Sequence, residues 1–391
     1  MSKLETIIPK GWQKKQIKDL LDYERPDKYI VESDRHISTG KTPVLTANKS
    51  FILGYTDENF GIYDNIPAII FDDFTTDSKY VDFSFKIKSS AIKILKNKKD
   101  TDLRFIFEKM KSITFPTGSH KRFYISQYQD MEIVVPPLSE QKKIAEILST
   151  VNEEIKKTDE IIVVTEKLKN GLMQKLFTRG IGHTKFKKTE IGEIPAEWDI
   201  KELGGVCDVR DGTHSSPKYH QQGIPLVTSK NLVGDALDFD NVSLITDTDY
   251  KEIEKRSHVD DGDILFGMIG TIGNPVIVRK NRDFAIKNVA LVKFPEKTVS
   301  NIYVLNYLKS IHTLDQFHKK MGGSTQKFVA LGMIRKLLIS IPPVSEQRKI
   351  AEILTSIDER ISINQKIKEK LTSLKLGLMQ DLLSGKVRTT H

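Results

Sequence analysis

Two stretches of the chain repeat almost the same order of apolar and polar residues. Residues 136–150 read PPLSEQKKIAEILST, and residues 342–356 read PPVSEQRKIAEILTS. Aligned without a gap, 136–180 and 342–386 agree at 21 of 45 positions. A fainter match, IPKGW at 8–12 and IPAEW at 194–198, opens each half of the chain. The sequence therefore predicts two tandem units, each a globular region followed by the repeated segment.

The repeated segment is predicted to form one long helix in each copy. Apolar residues recur at alternating steps of three and four, which is the heptad pattern of a coiled coil. Two prolines precede Ser139 and Ser345, which are suitable N-caps, and a glutamate follows each serine in the first turn. The seam holds Leu148, Val151, Ile155, Thr158, Ile162, Thr165, Lys169, Leu172 and Leu176 in the first copy, and Leu354, Ile357, Ile361, Asn364, Lys368, Leu371, Lys375, Leu378 and Leu382 in the second.

A lone helix cannot bury such a seam, so each copy needs a partner. The simplest partner for each helix is the other copy, and the two would form an antiparallel pair. The alternative is an ordinary amphipathic helix packed on its own domain. Faces left over on a helix pair remain free to bind another protein.

The globular regions combine strand and helix patterns. Runs rich in β-branched and aromatic residues predict strands at 66–71, 80–87, 262–270, 275–280 and 288–294. Three- and four-residue apolar spacing predicts helices at 101–112 and 301–317. The basic stretch KIKSSAIKILKNKK at 86–99 fits either a solvated helix face or a track for phosphates.

The predicted fold class is therefore α+β, with two mixed α/β domains separated by two long helices that pair as an antiparallel coiled coil in a pseudo-two-fold tandem repeat. The predicted boundaries are a first domain at 1–135, a first long helix at 136–177, a linker at 178–193, a second domain at 194–341 and a second long helix at 342–384.

Composition narrows the class of partner. The formal charge of +9 and the pI near 9.2 favour polyanions, because phosphate contacts release counterions. Cys207 is the single cysteine, which excludes an internal disulfide and argues against a thiolate-rich metal site. No apolar run approaches the roughly 20 residues that span a bilayer, and no signal peptide is visible. We expect a cytoplasmic protein.

A catalytic motif is hard to find. The histidines are scattered without an HExxH pattern, so the sequence predicts no metal site and no catalytic residue. RHISTGKT at 35–42 ends like a phosphate-binding loop but has arginine where the first glycine belongs. The Asn/Asp-Pro-Pro-aromatic motif of adenine methyltransferases does not occur.

Polar and basic loops are instead suited to DNA. GGSTQKF at 322–328 and TGSHKRF at 117–123 hold nearly the same place before the two long helices, and TANKS at 46–50 matches TSKNL at 228–232. Such turns present amides and side chains to phosphates or base edges. The candidate DNA contacts are Ser324, Thr325, Gln326, Lys327, Thr213, His214, Lys218, Lys230, Asn231, Ser119, His120, Lys121, Arg122, Asn48 and Lys49.

These residues resemble a known family. The doubled PPxSEQxKIAEIL and GLMQxL segments, with GDILF, GTIGN and GSTQK in the second half and FDDFTTDSKYVDF in the first, are similar to the specificity subunits of Type I restriction–modification systems. The resemblance implies two target-recognition domains, each reading one part of a split, asymmetric DNA sequence. It carries contacts over most directly to Ser324, Thr325, Gln326 and Lys327, because unit one has only approximate equivalents of GDILF and GSTQ.

The resemblance also implies partners. The helical regions would set the spacing and bind two methyltransferase subunits that carry S-adenosylmethionine, with nuclease and translocase activity in a further subunit. Candidate docking residues are Glu140, Gln141, Glu346 and Gln347. No cofactor is expected on this chain. Two alternatives stay open, a site-specific nuclease with an unrecognised active site and a coiled-coil adaptor that binds only proteins.

Overall fold

The computed structural model describes residues 8–33, 37–48, 50–116, 121–270, 273–296, 298–321 and 328–389. The chain divides into two compact units. Unit 1 joins Met1–Asp159 to Lys366–His391, and unit 2 is Glu160–Gln365. Each unit therefore contains one globular domain and about half of each long helix, and unit 2 is one continuous segment whereas unit 1 joins the two ends of the chain.

The described part of unit 1 contains a two-stranded sheet in the order β1-β9, a four-stranded sheet in the order β2-β8-β5-β6 and a three-stranded sheet in the order β4-β3-β7. The strands are β1 Gln13–Gln16, β2 Leu21–Glu24, β3 Thr42–Leu45, β4 Ile52–Thr56, β5 Ala68–Asp72, β6 Ser78–Val81, β7 Lys86–Ile87, β8 Ile92–Asn97 and β9 Glu132–Val135. The helices are α1 Ile17–Leu20, α2 Leu103–Lys111 and the start of α3 Leu138–Arg179.

Unit 2 repeats this arrangement and adds to it. Its strands are β10 Phe186–Thr189, β11 Gly192–Pro195, β12 Asp199–Glu202, β13 Asp208–Asp211, β14 Ile224–Val227, β15 Leu232–Val233, β16 Ala236–Leu237, β17 Ser243–Ile245, β18 Ile264–Gly267, β19 Gly273–Ile277, β20 Ala285–Ile286, β21 Val289–Lys293 and β22 Leu338–Ile341. Its helices are α4 Leu203–Val206, α5 Asp247–Ser257, α6 Asn301–Lys309, α7 Ile311–Met321, α8 Leu331–Arg335 and the start of α9 Val344–Ser384.

The two globular domains share one topology despite their different sequences. The sheets of unit 2 run β12-β22, β13-β21-β18-β19 and β17-β14-β20, which matches the three sheets of unit 1 strand for strand. The hairpins β10-β11 and β15-β16 and the helix α5 are additions in unit 2. The strand β5, with sequence AIIFD, thus corresponds to β18, with sequence ILFG.

The long helices α3 and α9 pair antiparallel within the chain. In unit 1 the Lys368 ammonium lies 2.5 Å from a carboxylate oxygen of Asp159, and in unit 2 the Lys169 ammonium lies 2.5 Å from Asp358. Position along α9 therefore rises as position along α3 falls. All eighteen predicted seam residues are buried or half-buried. The heptad pattern and the antiparallel pairing are both confirmed.

Each unit builds its own hydrophobic core on its share of the helices. In unit 1, Ile144 and Leu148 of α3 and Leu382 of α9 join the cluster around α2 and the four-stranded sheet. In unit 2, Phe177 of α3 and Leu354 of α9 join the corresponding cluster. A fully buried leucine or phenylalanine contributes roughly 1.5–3 kcal/mol, so the globular domains are fixed to the helices by the same effect that folds them.

The ends of the long helices differ from the prediction. The helices begin at Leu138 and Val344, so Ser139 and Ser345 lie inside the first turn and are not N-caps. The carbonyls of Pro137 and Pro343 accept the first helical hydrogen bonds instead. The first helix continues to Arg179, into the predicted linker, and Phe186–Thr189 of that linker forms a strand. The proposed domain boundaries stay predictions.

Two local predictions were wrong, and a third was confirmed with a break in the helix. Residues 80–87 form parts of two strands in two sheets, β6 and β7, because the chain turns between Asp82 and Phe85. The helical prediction for 301–317 is confirmed, although the structure has two helices there with a break at Ser310. Residues 86–99 form strands rather than a helix, and several of their lysines bind within unit 1 instead of forming a free basic track: Lys86 pairs with Glu58, Lys93 with Asp73 and Lys98 with Asp22, while Lys96 donates to the carbonyls of Asn65 and Pro67.

Candidate functional site

The polar loops of unit 1 meet at one edge of its sheets. The strands β3 and β7 are parallel, with Leu45 opposite Ile87, so their carboxyl ends lie side by side. The N–H of Lys88 donates to the carbonyl of Leu45 at 3.0 Å and joins the two following loops. The hydroxyl of Thr75, in the turn after β5, donates to the side-chain oxygen of Asn48 at 3.3 Å. Residues 46–48, 73–77 and 88–91 therefore lie close together.

The loop that precedes the first long helix is anchored at the same edge. The carbonyl of Asp73 accepts a hydrogen bond from the N–H of Phe123 at 2.8 Å. Its buried carboxylate accepts one from the N–H of Tyr124 at 2.7 Å and lies 3.2 Å from the ammonium of Lys93. A buried, paired carboxylate resists displacement, because an unpaired charge left inside the protein is costly. Asp73 therefore fixes where the loop ending at Phe123 leaves the sheet.

Arg122 places its charge beside these loops. Its guanidinium lies 5.9 Å from the ring centroid of Phe74 and donates to the Ser90 hydroxyl at 3.3 Å. Lys121 and Asn48 are also exposed. We call residues 46–48, 73–77, 88–91 and 121–123 the unit 1 edge. The candidates Ser119, His120 and Lys49 lie outside the described residues.

Unit 2 builds the corresponding edge with the same backbone contacts. The strands β14 and β20 are parallel, and the N–H of Lys287 donates to the carbonyl of Val227 at 2.9 Å, as Lys88 does to Leu45. The carbonyl of Met268 accepts from the N–H of Val329 at 2.8 Å, as Asp73 does from Phe123. Residues 211–220, 228–231, 268–270, 287–288 and 328 form the unit 2 edge. Ser324, Thr325, Gln326 and Lys327 lie outside the described residues, immediately before Phe328.

The loop at 211–220 is joined to the end of β20. The N–H of Thr213 donates to the carbonyl of Ile286 at 3.0 Å, and the ammonium of Lys287 donates to the Ser216 hydroxyl at 2.6 Å. Gly212 is required for this approach, because a Cβ there would lie 2.3 Å from the carbonyl oxygen of Ile286. Thr213 is half-buried, whereas Lys218 is exposed.

His214 is held between two acceptors. Its Nδ1 lies 2.9 Å from the side-chain oxygen of Asn288 and its Nε2 lies 2.7 Å from a carboxylate oxygen of Asp211. The hydrogen bond to Asn288 and the bond to Asp211 both raise the pKa of His214, because only the imidazolium donates from both nitrogens. Arg256 pairs with the same carboxylate. The result is an exposed imidazole at the unit 2 edge whose protonated form is favoured, and the described unit 1 edge contains no histidine.

Lys230 and Asn231 have different surroundings although they are adjacent. Lys230 is exposed at the unit 2 edge. Asn231 is buried, accepts from the N–H of Thr228 at 3.0 Å and donates to the carbonyls of Asp238 and Asn241 at 3.2 and 3.1 Å. Its amide therefore shapes the turn after β14, and base contact by Asn231 stays a prediction.

The four candidate docking residues have partners within the chain. Glu140 is buried and accepts from the Trp12 indole N–H at 3.1 Å and from the Arg388 guanidinium at 2.8 and 2.9 Å. Glu346 accepts from the Trp198 indole N–H at 3.0 Å and from the N–H of Ile181 at 2.9 Å, and it lies 2.9 Å from His183 Nε2. These contacts explain why the sequence repeats both the Trp of IPxxW and the Glu of SEQ.

The neighbouring glutamines connect each long helix to its domain. Gln141 accepts from the N–H of Asp102 and donates to the carbonyl of Pro136, both at 2.9 Å. Gln347 does the same with Ser300 and Pro342, also at 2.9 Å. Docking of another protein at these four residues stays a prediction, since their polar atoms are already used.

The sequence predicted that faces left over on the helix pair could bind another protein, but it did not name the residues of that surface. Large apolar side chains are exposed on α3 and α9, namely Ile147, Ile367, Leu374 and Leu376 in unit 1, and Ile161, Val163, Val164, Leu168, Ile353 and Ile363 in unit 2. The signal was present as apolar residues outside the heptad seam. Asp211, Arg256 and Asn288 were not identified from the sequence as part of the site. No local pattern could have found them, because they are far apart in the sequence and only the fold brings them together.

The described residues offer little other chemistry. They contain no group of three or more His, Cys, Asp or Glu side chains arranged to hold a metal ion. Burial raises the pKa of the Cys207 thiol to about 12, so the thiolate form is scarce at neutral pH. No helix within the described ranges has the length and apolar character needed to cross a membrane.

Comparison with known proteins places both units in one family. The family described as "Type I restriction modification DNA specificity domain" matches residues 9–166 and 195–373, so each globular domain is matched together with a large part of its long helix. The chain is 26% identical over 98% of its length to the Type I restriction enzyme MjaVIII specificity subunit of Methanocaldococcus jannaschii, of which it covers 95%. It is 30% identical over 87% of its length to the EcoR124I/EcoR124II specificity subunit of Escherichia coli, of which it covers 85%.

Solved structures agree on the fold. The S subunit of a Type I restriction–modification system from M. genitalium superposes with a TM-score of 0.64 at 16% identity, covering 97% of this chain and 98% of that one. The doubled helical segment, the two edges on one topology and the family match at both units lead to one assignment. The chain belongs to the specificity subunits of Type I restriction–modification systems.

Proposed function

We propose that this chain is the DNA-reading subunit of a Type I restriction–modification complex, and that each unit reads one half of a bipartite, asymmetric site. The observation that carries the proposal is that two edges share backbone contacts but differ in side chains. Arg122 and Phe328 each directly precede the residue whose N–H anchors the loop before the long helix. Asn48 and Lys230 lie in the loops that follow the equivalent strands β3 and β14. A common scaffold with unlike contact residues suits two readers of unlike sequences.

The edges have the chemistry that a DNA interface needs. Arg122 and Lys121 in unit 1, and His214, Lys218 and Lys230 in unit 2, are exposed donors that carry or can carry positive charge. Affinity would come from such groups on phosphates, and specificity from polar and apolar contacts with base edges. The net charge of +9 acts in the same direction.

We further propose that the helices act as spacer and as docking platform. The helix α3 has 42 residues without interruption, which is about 63 Å at the usual rise of about 1.5 Å per residue. Two methyltransferase subunits would dock, one for each copy of the helical repeat, on the exposed apolar side chains of α3 and α9. S-adenosylmethionine would be bound by those partners, and restriction and translocation would belong to further subunits. The chain itself would be non-catalytic and cytoplasmic.

Selection from randomised duplex DNA, with the chain assembled with its cognate methyltransferase subunits, tests the proposal. An enriched motif of two unlike blocks separated by a fixed gap is expected. Absence of any enriched motif in a folded and assembled complex would contradict it and favour a protein-only adaptor. Cleavage of DNA by the isolated chain with magnesium would contradict the non-catalytic assignment.

A further inference from the structure

Two large apolar side chains are exposed at equivalent places in the two edges. Phe74 is 37% exposed in unit 1, and Ile269 is 47% exposed in unit 2. Each directly follows the residue whose carbonyl anchors the loop before the long helix, Asp73 in one unit and Met268 in the other. A single exposed apolar residue on a surface needs no explanation. Two exposed apolar residues at the same position of a shared scaffold, with a different side chain in each unit, do need an explanation.

The register of the sheets establishes that the two positions correspond. The strand β5 pairs with β8 and β6, and β18 pairs with β21 and β19, in the same antiparallel order. The sequences AIIFDDF at 68–74 and DILFGMI at 263–269 align along these strands and end at Phe74 and Ile269. Both side chains therefore leave the same central strand at its carboxyl end.

The surroundings of Phe74 are polar, and the backbone holds Phe74 rigidly. A carboxylate oxygen of Asp72 accepts from the N–H groups of Phe74 and Thr75, both at 2.9 Å. The guanidinium of Arg122 lies beside the Phe74 ring. In unit 2, Ile269 forms an antiparallel β-bridge with Phe328, the residue that follows the candidate contacts 324–327. An apolar group presented this way loses little conformational entropy on binding.

We propose that Phe74 and Ile269 are specificity-determining residues that make apolar contacts with the bases of their respective half-sites. This rests on the proposed function. The occupant is the base-pair edge of duplex DNA, because Arg122 beside Phe74 and the exposed His214 and Lys230 elsewhere on the unit 2 edge match the flanking phosphates. Apolar side chains distinguish bases by contact with the thymine methyl group. A flat ring in unit 1 and a branched aliphatic chain in unit 2 select different base steps.

The test uses the complex with its cognate methyltransferase subunits and the selected bipartite duplex. Affinity is measured for that duplex and for two versions, each with one half-site scrambled. We expect Phe74→Ser to weaken binding to the intact site by about tenfold, and to have no effect once one particular half-site is scrambled. Ile269→Ser should behave the same way toward the other half-site. The dependence of affinity on salt should not change, because no phosphate contact is lost.

Two matched variants control for the loss of an exposed apolar group. Phe60 is 50% exposed and lies in the loop after β4. The end of β4 pairs with Thr42 at the start of β3, and Asn48 follows the opposite end of β3. Ile311 is 50% exposed at the start of α7. Phe60→Ser and Ile311→Ser should bind like the unmodified complex.

Three outcomes would overturn the inference. They are a Phe74→Ser effect no larger than that of Phe60→Ser, an equal loss on scrambled DNA, and a changed salt dependence. Each of these leaves the half-site preference of the unmodified complex intact. If the unmodified complex shows no half-site preference, the proposed function fails instead, so the two failures are distinguishable.

Discussion

The indole N–H of Trp198 donates to a carboxylate oxygen of Glu346 at 3.0 Å, across 148 residues of chain. Trp12 and Glu140 make the same bond at 3.1 Å in unit 1. In each unit the carboxylate also binds the segment that follows a long helix, Ile181 and His183 after α3 in unit 2, and Arg388 after α9 in unit 1. The repeated Trp and Glu residues therefore make the same contact in each unit and attach the segment that follows a long helix to that unit.

Removing the charge of Glu140 should destabilise unit 1. Glu140→Gln keeps the size of the side chain but replaces a charge-assisted bond to Arg388 and the indole bond with weaker ones. We expect the free energy of unfolding to fall by about 2 kcal/mol, measured by urea denaturation. Glu146→Gln, at an exposed position six residues later on the same helix, is the control and should change it little. If the two variants lowered the free energy of unfolding equally, the contacts of Glu140 would not be what stabilises unit 1.

The same ion pair should make unit 1 sensitive to acid. The hydrogen bond from Arg388 holds the pKa of Glu140 below its ordinary value of 4.5. A lowered pKa gives stability that is present above the ordinary value and is lost as the pH falls through the lowered one. Arg388→Gln should flatten this part of the curve of unfolding free energy against pH. An unchanged slope in Arg388→Gln below pH 4.5 would show that Glu140 is not the group responsible.

Binding to one half-site should depend on the protonation of His214. Because its pKa is raised from 6.5, the positive charge is fully present below that value and is lost as the pH rises through the raised pKa. Affinity for the selected duplex should therefore fall over this interval, and His214→Gln should remove the dependence. His220→Gln, at an exposed histidine in the same loop, should retain it. The measurement is the dissociation constant from pH 6 to 9 at fixed ionic strength.

Charge placed on the exposed apolar face of α3 should block methyltransferase docking. Val164→Glu leaves the heptad seam intact, since Val164 lies outside it and is exposed. We expect the chain to keep its melting temperature while association with the methyltransferase subunit, measured by calorimetry, weakens at least tenfold, because burying an unpaired carboxylate is costly. Leu314→Glu, at an exposed position of α7, is the matched control. Undiminished association in Val164→Glu would place the docking surface elsewhere.

Much of the architecture was accessible from local pattern. The heptad positions from Leu148 to Leu176 and from Leu354 to Leu382 predicted both long helices, because a helix displays its apolar face at fixed sequence intervals. The β-branched run at 66–71 predicted β5, and the apolar run at 288–294 predicted β21. Predictions failed where the chain changes direction within an apolar run, as between β6 and β7, since local composition does not reveal which sheet a strand joins.

The sequence by itself determined the two-unit repeat, the helix pair and the regions from which the edges are built, because these depend on periodicity and on contacts near in sequence. Only the tertiary structure decided which groups meet. It joined Arg388 to Glu140, Asp211 to Arg256 and Asp73 to Tyr124, and it brought Phe74 beside Arg122. Those encounters depend on strand order and on antiparallel helix pairing, which bring together residues tens to hundreds of positions apart.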